Sequence, residues 1–508
     1  MKNEGSWPHA PDGGAYLSIV RPGRNAWRVA NADRVGFLVD GQAYFRALEA
    51  AFAEARREIW IVGWDFNPDI RLRPEDPASP TLGETLLRLV QSRPELTIRV
   101  LIWAMGPVYS GKSLAMFRKR YWSSHPRILL AFDSGHPLRA SHHQKFVVVD
   151  DRVAFVGGID LTAKRWDTSD HAADDPRRTK PSGRSYGPVH DVQLALEGEA
   201  ARLVGAVGRH RWALATGVDV PACDTPGTVG LNEADLAQSH VAFARTEPAF
   251  RGREGASEAI ELTLSALNAA RRHIYIETQY FASQRVCRLL CERLAEPNGP
   301  EVVVVTTLSA HGTIERLVLG ANRDRFLRRL ARADRHGRLR AFYPVVPTAD
   351  GGEREINVHS KLIVVDDAFV RIGSANLNHR SEGLDTELDA AIEARRPQER
   401  QAIRRLRDRL LAEHLGTVPD SFTAAVNAEG SLVAAVDALN GGARGLRPFP
   451  EAAGKGAVEA VPGTGIVDPV APWWPLPAWA EAAAALLRAP FAAIPTPASR
   501  QAGDRGRR

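Results

Sequence analysis

Cysteine is scarce in this chain. Three occur in 508 residues, Cys223, Cys287 and Cys291, an odd and sparse set that argues against a disulfide framework. Cys287 and Cys291 are four apart in a helical pattern with no further Cys or nearby His. They read as two small residues on one helix face rather than a metal site. Long apolar runs are also missing. No stretch reaches the ~20 apolar residues of a membrane-spanning helix, and the opening residues 1–8 lack the apolar core of a signal peptide. The expectation is a cytoplasmic or peripheral membrane protein, with leaderless export left open. Nor is there a large charge excess of either sign. Lys plus Arg total 66 against 60 Asp plus Glu, a net +6. That mild excess suits an anionic partner such as phospholipid or nucleic acid without requiring one. The apolar fraction of 44% is that of a soluble globular protein, and the length allows two or three domains.

What the chain does contain is a pattern used twice. Ser141–Asp150 reads Ser-His-His-Gln-Lys-Phe-Val-Val-Val-Asp, and Val358–Asp366 reads Val-His-Ser-Lys-Leu-Ile-Val-Val-Asp. Each holds a His, one spacer, a Lys, four mostly apolar residues and an Asp: His143/Lys145/Asp150 and His359/Lys361/Asp366. Two residues apart on a strand, His and Lys point to the same face, so each copy sets an imidazole beside an ammonium. That is the equipment for chemistry on a phosphate, and two copies suggest one site built from both. The period carries Asp150 and Asp366 off that face, where they fix the following turn.

The duplication extends beyond the motif. Ala55-Arg56-Arg57 leading to Ile59-Trp60-Ile61 matches Ala270-Arg271-Arg272 leading to Ile274-Tyr275-Ile276 at an offset of 215, and the motif histidines lie 216 apart. The strand beginning at Asp191 matches the one beginning at Glu387 at an offset of 196, so a polar loop over about 164–190 is longer in the first copy. Strands are expected at 97–103, 127–132, 153–156, 301–307, 339–343 and 369–372. Helices are expected from Gln42, near 82–91, at 116–122, through Trp212, at 259–270 and, strongly basic, at 314–334. The fold class is therefore α/β: two similar lobes, each a mixed sheet flanked by helices, related by a pseudo-two-fold axis with the site between them. The expected division is an irregular lead-in at 1–34, a first lobe at 35–216, a linker at 217–236, a second lobe at 237–418, and an Ala/Gly/Pro-rich tail at 419–508. That tail carries a Trp-rich segment, Pro472–Trp479, read either as an interfacial anchor or as packed on the lobes.

These motifs resemble those of the phospholipase D superfamily, whose hallmark is the paired His-x-Lys-x4-Asp. The wording is closest to the eukaryotic-type enzymes. Val156–Leu161 with Arg165-Trp166-Asp167 resembles their first motif region, Ile372–Ser381 their second, and Ile274–Phe281 their Ile-Tyr-Ile-Glu-Asn-Gln segment. The resemblance implies a catalytic set of His143, Lys145, Asp150, His359, Lys361 and Asp366, with His143 as nucleophile, His359 as acid/base, and carboxylates at Asp191 and Glu387 that orient the histidines, paired within each lobe as Asp191 with His143 and Glu387 with His359. Asn376, Ser374 and Asp160 are expected to bind substrate. Asp160 stands at the position matching Asn376 and is expected to be protonated or turned to a cation. His142 reads as structural. His171, His190, His311 and His379 read as lone surface or packing residues. No metal and no cofactor are expected, because no His/Asp/Glu cluster beyond the two motifs has metal-ligand spacing along the chain and two lysines would repel a cation at the motifs.

The expected function is hydrolysis of a glycerophospholipid to phosphatidate and alcohol through a phosphohistidine, with transfer to another alcohol open to the same intermediate. The expected partner is phospholipid at a membrane surface, with no nucleic acid and a monomeric chain. A cardiolipin-synthase-like phosphatidyltransferase and a nucleic-acid phosphodiesterase are the alternatives.

Overall fold

The computed structural model describes residues 18–105, 120–223, 231, 234–309, 320–459, 461 and 464–471. The first half contributes β1 (Arg28–Val39), β2 (Glu58–Gly63), β3 (Thr97–Trp103), β4 (Ile128–Asp133), β5 (Phe146–Val149), β6 (Val153–Gly157), β7 (Val189–His190) and β8 (Val192–Glu197). The second contributes β9 (Leu236–Glu247), β10 (Ala256–Ser257), β11 (His273–Thr278), β12 (Glu301–Thr306), β13 (Leu339–Pro347), β14 (Glu353–Glu355), β15 (Asn357–Val358), β16 (Lys361–Val365), β17 (Phe369–Gly373), β18 (Glu387–Glu393) and β19 (Gly445–Pro448).

The sheet is organised about β1 and β9, which lie antiparallel with Arg28 opposite Phe243 and Val35 opposite Leu236. Outward from β1 the order is β8, β6, β5, β2, β3 and β4. Outward from β9 it is β18, β17, β16, β11, β12 and β13. In both halves the three outermost of these strands run parallel and the rest antiparallel, so the duplication read from the sequence appears as a repeated topology. The mixed α/β class and the two similar lobes are as expected.

Both faces of the sheet are covered, which is why its strands read as nearly unbroken apolar runs. Alternate residues serve opposite faces. Ile59 and Ile61 pack under the helices Asp40–Glu54 and Leu82–Ser92. Trp60 and Val62 enter a large cluster drawn from both halves, closed by the helices Glu199–Thr216 and Pro397–Leu415. In the second half, Glu258–Ala269, Gln284–Ala295 and Ala321–Ala333 cover Ile274 and Ile276.

Three segments differ from expectation. The strand β1 begins inside the presumed lead-in. Its polar residues Asn31, Asp33 and Arg34 broke the apolar signal, and several of its residues keep partial exposure. Residues 419–448 are not a tail. They form the helices Pro419–Glu429 and Leu432–Leu439 and the strand β19 against β13, with Phe422, Leu432, Val436 and Leu446 in the central core. Residues 120–123 form a 3-10 turn, and the basic helix runs over Ala321–Ala333. Residues 116–119 and 314–319, and the Trp-rich segment, lie outside the described residues. No helix among the described residues is long and apolar enough to cross a membrane.

Candidate active site

The motif strands start later than the sequence period implied. β5 begins at Phe146 and β16 at Lys361, so both histidines precede their strands. The backbone there is engaged with the opposite half. Val358 pairs in parallel with His190, and His142 makes the corresponding bridge to Thr386. The His143 amide donates to the Thr386 carbonyl at 3.0 Å, and the His359 amide to the His190 carbonyl at 2.8 Å. Each motif is thus zipped to the residues just before the acid-bearing strand of the other half.

The carboxylates consequently cross over. His143 Nδ1 lies 2.8 and 3.0 Å from the two Glu387 oxygens, and His359 Nδ1 lies 2.6 Å from Asp191 Oδ2. The pairing expected within each lobe is corrected: Glu387 serves His143 and Asp191 serves His359. With Nδ1 engaged, Nε2 of each ring is left for substrate.

The lysines sit beside the rings. Lys145 Nζ donates to the His143 carbonyl at 2.9 Å and lies 3.5 Å from Asp160 Oδ2. Lys361 Nζ donates to the His359 carbonyl and lies 3.4 Å from Gln279 Oε1. Asp160 Oδ1 accepts the amides of Trp64 and Asp65 at 2.8 and 3.3 Å. Asp160 is therefore a counter-ion to Lys145 rather than a substrate ligand. Ser374 is corrected in the same sense. Its Oγ donates to Glu387 Oε2 at 2.5 Å and accepts the Leu388 amide at 3.1 Å, while Ser381 Oγ donates to Glu387 Oε1 at 2.7 Å. Asn376 is buried near them, and its side-chain Oδ1 has no hydrogen-bond partner.

Asp150 and Asp366 lie at the far ends of their strands, away from the reacting groups. Asp150 accepts the amides of Arg56, Arg57 and Glu58 at 2.6–2.7 Å. Asp366 accepts those of Arg271, Arg272 and His273 at 2.7–2.9 Å. Their role is to clip the turn to the head of the neighbouring strand.

Burial shapes the electrostatics. Removal from water, then Lys145, hold His143 well below its ordinary range; burial, then Lys361, do the same for His359. Both shifts favour the uncharged ring in the absence of an anion. Burial pushes Glu387 up to about 8 and Asp191 up to about 6, and draws Lys361 down to about 7. An anion bound between the lysines would favour their charged forms and restore a proton to the site.

Several groups escaped the sequence reading. Arg165 stands close enough for its charge to act on Lys145, His359 and Lys361. Glu277 is fully buried. It accepts from Ser360 Oγ at 2.7 Å and Tyr275 OH at 2.5 Å, and lies 3.0 Å from His190 Nε2 and 3.1 Å from His414 Nε2. It thereby braces the residues that follow His359 and precede Asp191. Its place in the Ile-Tyr-Ile-Glu segment was the available signal. His171 and His190 are buried among carboxylates rather than lone. His379 lies 3.1 Å from Asp468, and His142 lies 2.8 Å from Asp133, facing away from the site as expected. His311 is outside the described residues.

A family model described as cardiolipin synthase, PLD-like domain, matches residues 263–410. Phospholipase D1 of Saccharomyces cerevisiae is 23% identical over 490 residues, covering 75% of this chain and 28% of that protein. Phospholipase D zeta 1 of Arabidopsis thaliana is 33% identical over 213 residues, covering 35% of this chain and 19% of that protein. The crystal structure of a phosphatidylserine synthase from Haemophilus influenzae superposes with a TM-score of 0.52 at 14% identity, covering 75% of this chain and 86% of that one, a likeness of fold. The chain spans between 17% and 36% of the length of the first curated relatives it matches.

Proposed function

The chain belongs to the phospholipase D superfamily, and from that premise we propose that it is a phospholipase D-type phosphodiesterase cleaving glycerophospholipids to phosphatidate and alcohol. The observation that carries this reading is the crossed pair: two imidazoles, each anchored through Nδ1 on a buried acidic side chain of the other half, flanked by two buried lysines. Lys145 and Lys361 mask the phosphate charge. His143 attacks phosphorus through Nε2, and Glu387 stabilises the positive ring that results. His359, protonated once the anion is bound, passes its proton to the departing alcohol and later takes one from water. His143 is given the nucleophile's part because its side chain is the more open, 18% exposed against 7% for His359. Asn376 is assigned the part of donating its side-chain amide to a phosphate oxygen. Replacing water by an alcohol in the second step makes the same intermediate a phosphatidyl donor.

The test uses vesicles of phosphatidylcholine, phosphatidylethanolamine and phosphatidylglycerol, with ethanol present. Phosphatidate and phosphatidylethanol are expected, with losses of at least ~10³-fold in His143→Ala and His359→Ala at unchanged melting temperature. Slow turnover by His359→Ala should leave phosphohistidine at position 143. Cleavage of DNA alone, or equal lipid turnover by wild type and both variants, would sink the proposal. Product formed only when an alcohol acceptor is supplied would move it to the phosphatidyltransferase reading.

A further inference from the structure

One residue before Asp191 lies a second, fully enclosed constellation. Asp40 Oδ1, His171 Nε2, His190 Nδ1 and Glu413 Oε1 all fall within 4.8 Å of one another. Adjacent atoms are separated by 3.0 Å (His190 to Asp40), 3.0 Å (His190 to Glu413), 3.1 Å (His171 to Glu413) and 3.6 Å (His171 to Asp40). Four donors held at about 2.0–2.1 Å around a tetrahedral ion would lie about 3.4 Å apart. Their side chains are at most 6% exposed. They come from separate parts of the chain: the start of the helix Asp40–Glu54, the long 164–190 loop, β7, and the helix Pro397–Leu415 of the second half.

Two of these atoms point to a missing centre. Asp40 Oδ1 and His190 Nδ1 make no hydrogen bond. His190 Nδ1 is 3.0 Å from two carboxylate oxygens, yet its N–H direction is aligned on neither. Buried polar atoms in that state are costly unless something else satisfies them. Asp40 also begins its helix at φ 68°, a strained conformation for a residue with a side chain.

The outward nitrogens complete the pattern. His171 Nδ1 lies 2.9 Å from Asp167, which Arg178 holds at 3.0 Å, and His190 Nε2 lies 3.0 Å from Glu277. Metal-bound histidines are commonly oriented by such carboxylates behind them. A dication also balances charge here, since it replaces the two protons that the inward-facing nitrogens would otherwise carry.

We propose that Asp40, His171, His190 and Glu413 hold one divalent metal ion in a closed, structural site. Two imidazoles with two single carboxylate oxygens, spaced for four-coordination, select Zn2+ over Ca2+ or Mg2+. The ion ties the 164–190 loop and the strand leading to Asp191 to the second half, and so supports the carboxylate that orients His359. The expectation of no metal considered spacing along the chain, and these four ligands are scattered through it.

The experiment uses the full chain, untagged, produced in zinc-supplemented medium and purified without chelator. Elemental analysis is expected to find about one zinc per chain, lost in His171→Ala and retained in His143→Ala, whose change lies at the other centre. Stripping with dipicolinate should lower the melting temperature, and zinc alone should restore it. Should His171→Ala not fold, wild type loaded with cobalt(II) should show the intense visible bands of a tetrahedral ion. Wild type that folds without metal and melts identically with zinc or chelator overturns the proposal, as does zinc that is retained by a folded His171→Ala.

Discussion

Single side chains divide the paired motifs into two jobs. The histidines and lysines converge on the candidate site, whereas Asp150 and Asp366 satisfy backbone amides that a sharp turn would otherwise leave without partners. The turns require it: Asp150 and Asp151 have φ of 54° and 53°, Asp366 and Asp367 of 52° and 53°. Asp150 is fully buried and Asp366 is not, so the two clips differ in worth. Asp150→Ala should lower unfolding free energy by about 2–4 kcal/mol, from the loss of three amide bonds to a buried charge. Asp366→Ala should cost less because water can replace the acceptor. Urea unfolding checks both. Equal losses, or a collapse of turnover per folded molecule, would return these residues to the catalytic set.

His136 supplies a pH prediction at the same scale. It is buried, and burial lowers it to about 4. Between pH 6.5 and 4 the unfolded chain takes up a proton there that the folded chain does not, so stability is present above 6.5 and lost as pH falls through that window. Denaturant midpoints should therefore fall from pH 6.5 to 4, less steeply in a folded His136→Gln variant. Parallel curves for the two proteins would refute the assignment.

Among elements, the decisive ones are the short segments just ahead of β5 and β16. They pair with the other half before their own strands begin, and this carries each histidine to the other half's acid. The crossing has a thermodynamic signature. In double-mutant cycles on unfolding, Glu387→Gln should couple to His143→Ala by at least ~1 kcal/mol and be additive with His359→Ala. The reverse result would restore the pairing within lobes. The repeat offsets could not reveal this, since an acid at a matched position in each half is equally compatible with direct and crossed partners. The same limitation hid Ser374. Its place in Ile-Gly-Ser-Ala-Asn suggested substrate, but the neighbouring strand brings Glu387 onto its hydroxyl.

At the scale of the molecule, β1 and β9 fuse the halves into one sheet, and the central cluster takes apolar residues from both. Neither half alone has a complete histidine–carboxylate pair. Residues 1–223 and 224–508 made separately are expected to be inactive, and to recover lipid cleavage only when folded together. Activity in either half alone would contradict the shared site. The segment 419–448 belongs to this whole. Its Ala-rich composition concealed a buried role that depends on the exposed edge of β13 and the central cluster.

The sequence by itself determined the α/β class, the duplication, and the two His/Lys pairs, because strand period and local spacing act over a few residues and survive without a partner. It also determined that the motif aspartates lie off the reacting face. Which carboxylate meets which histidine, that Asp160 neutralises Lys145, and that Asp40, His171, His190 and Glu413 converge were decided only by tertiary structure. Those contacts join residues more than 90 positions apart in most cases, such as His143 with Glu387 and His359 with Asp191. They depend on how two similar halves dock, and no periodicity within either half encodes the geometry of that docking.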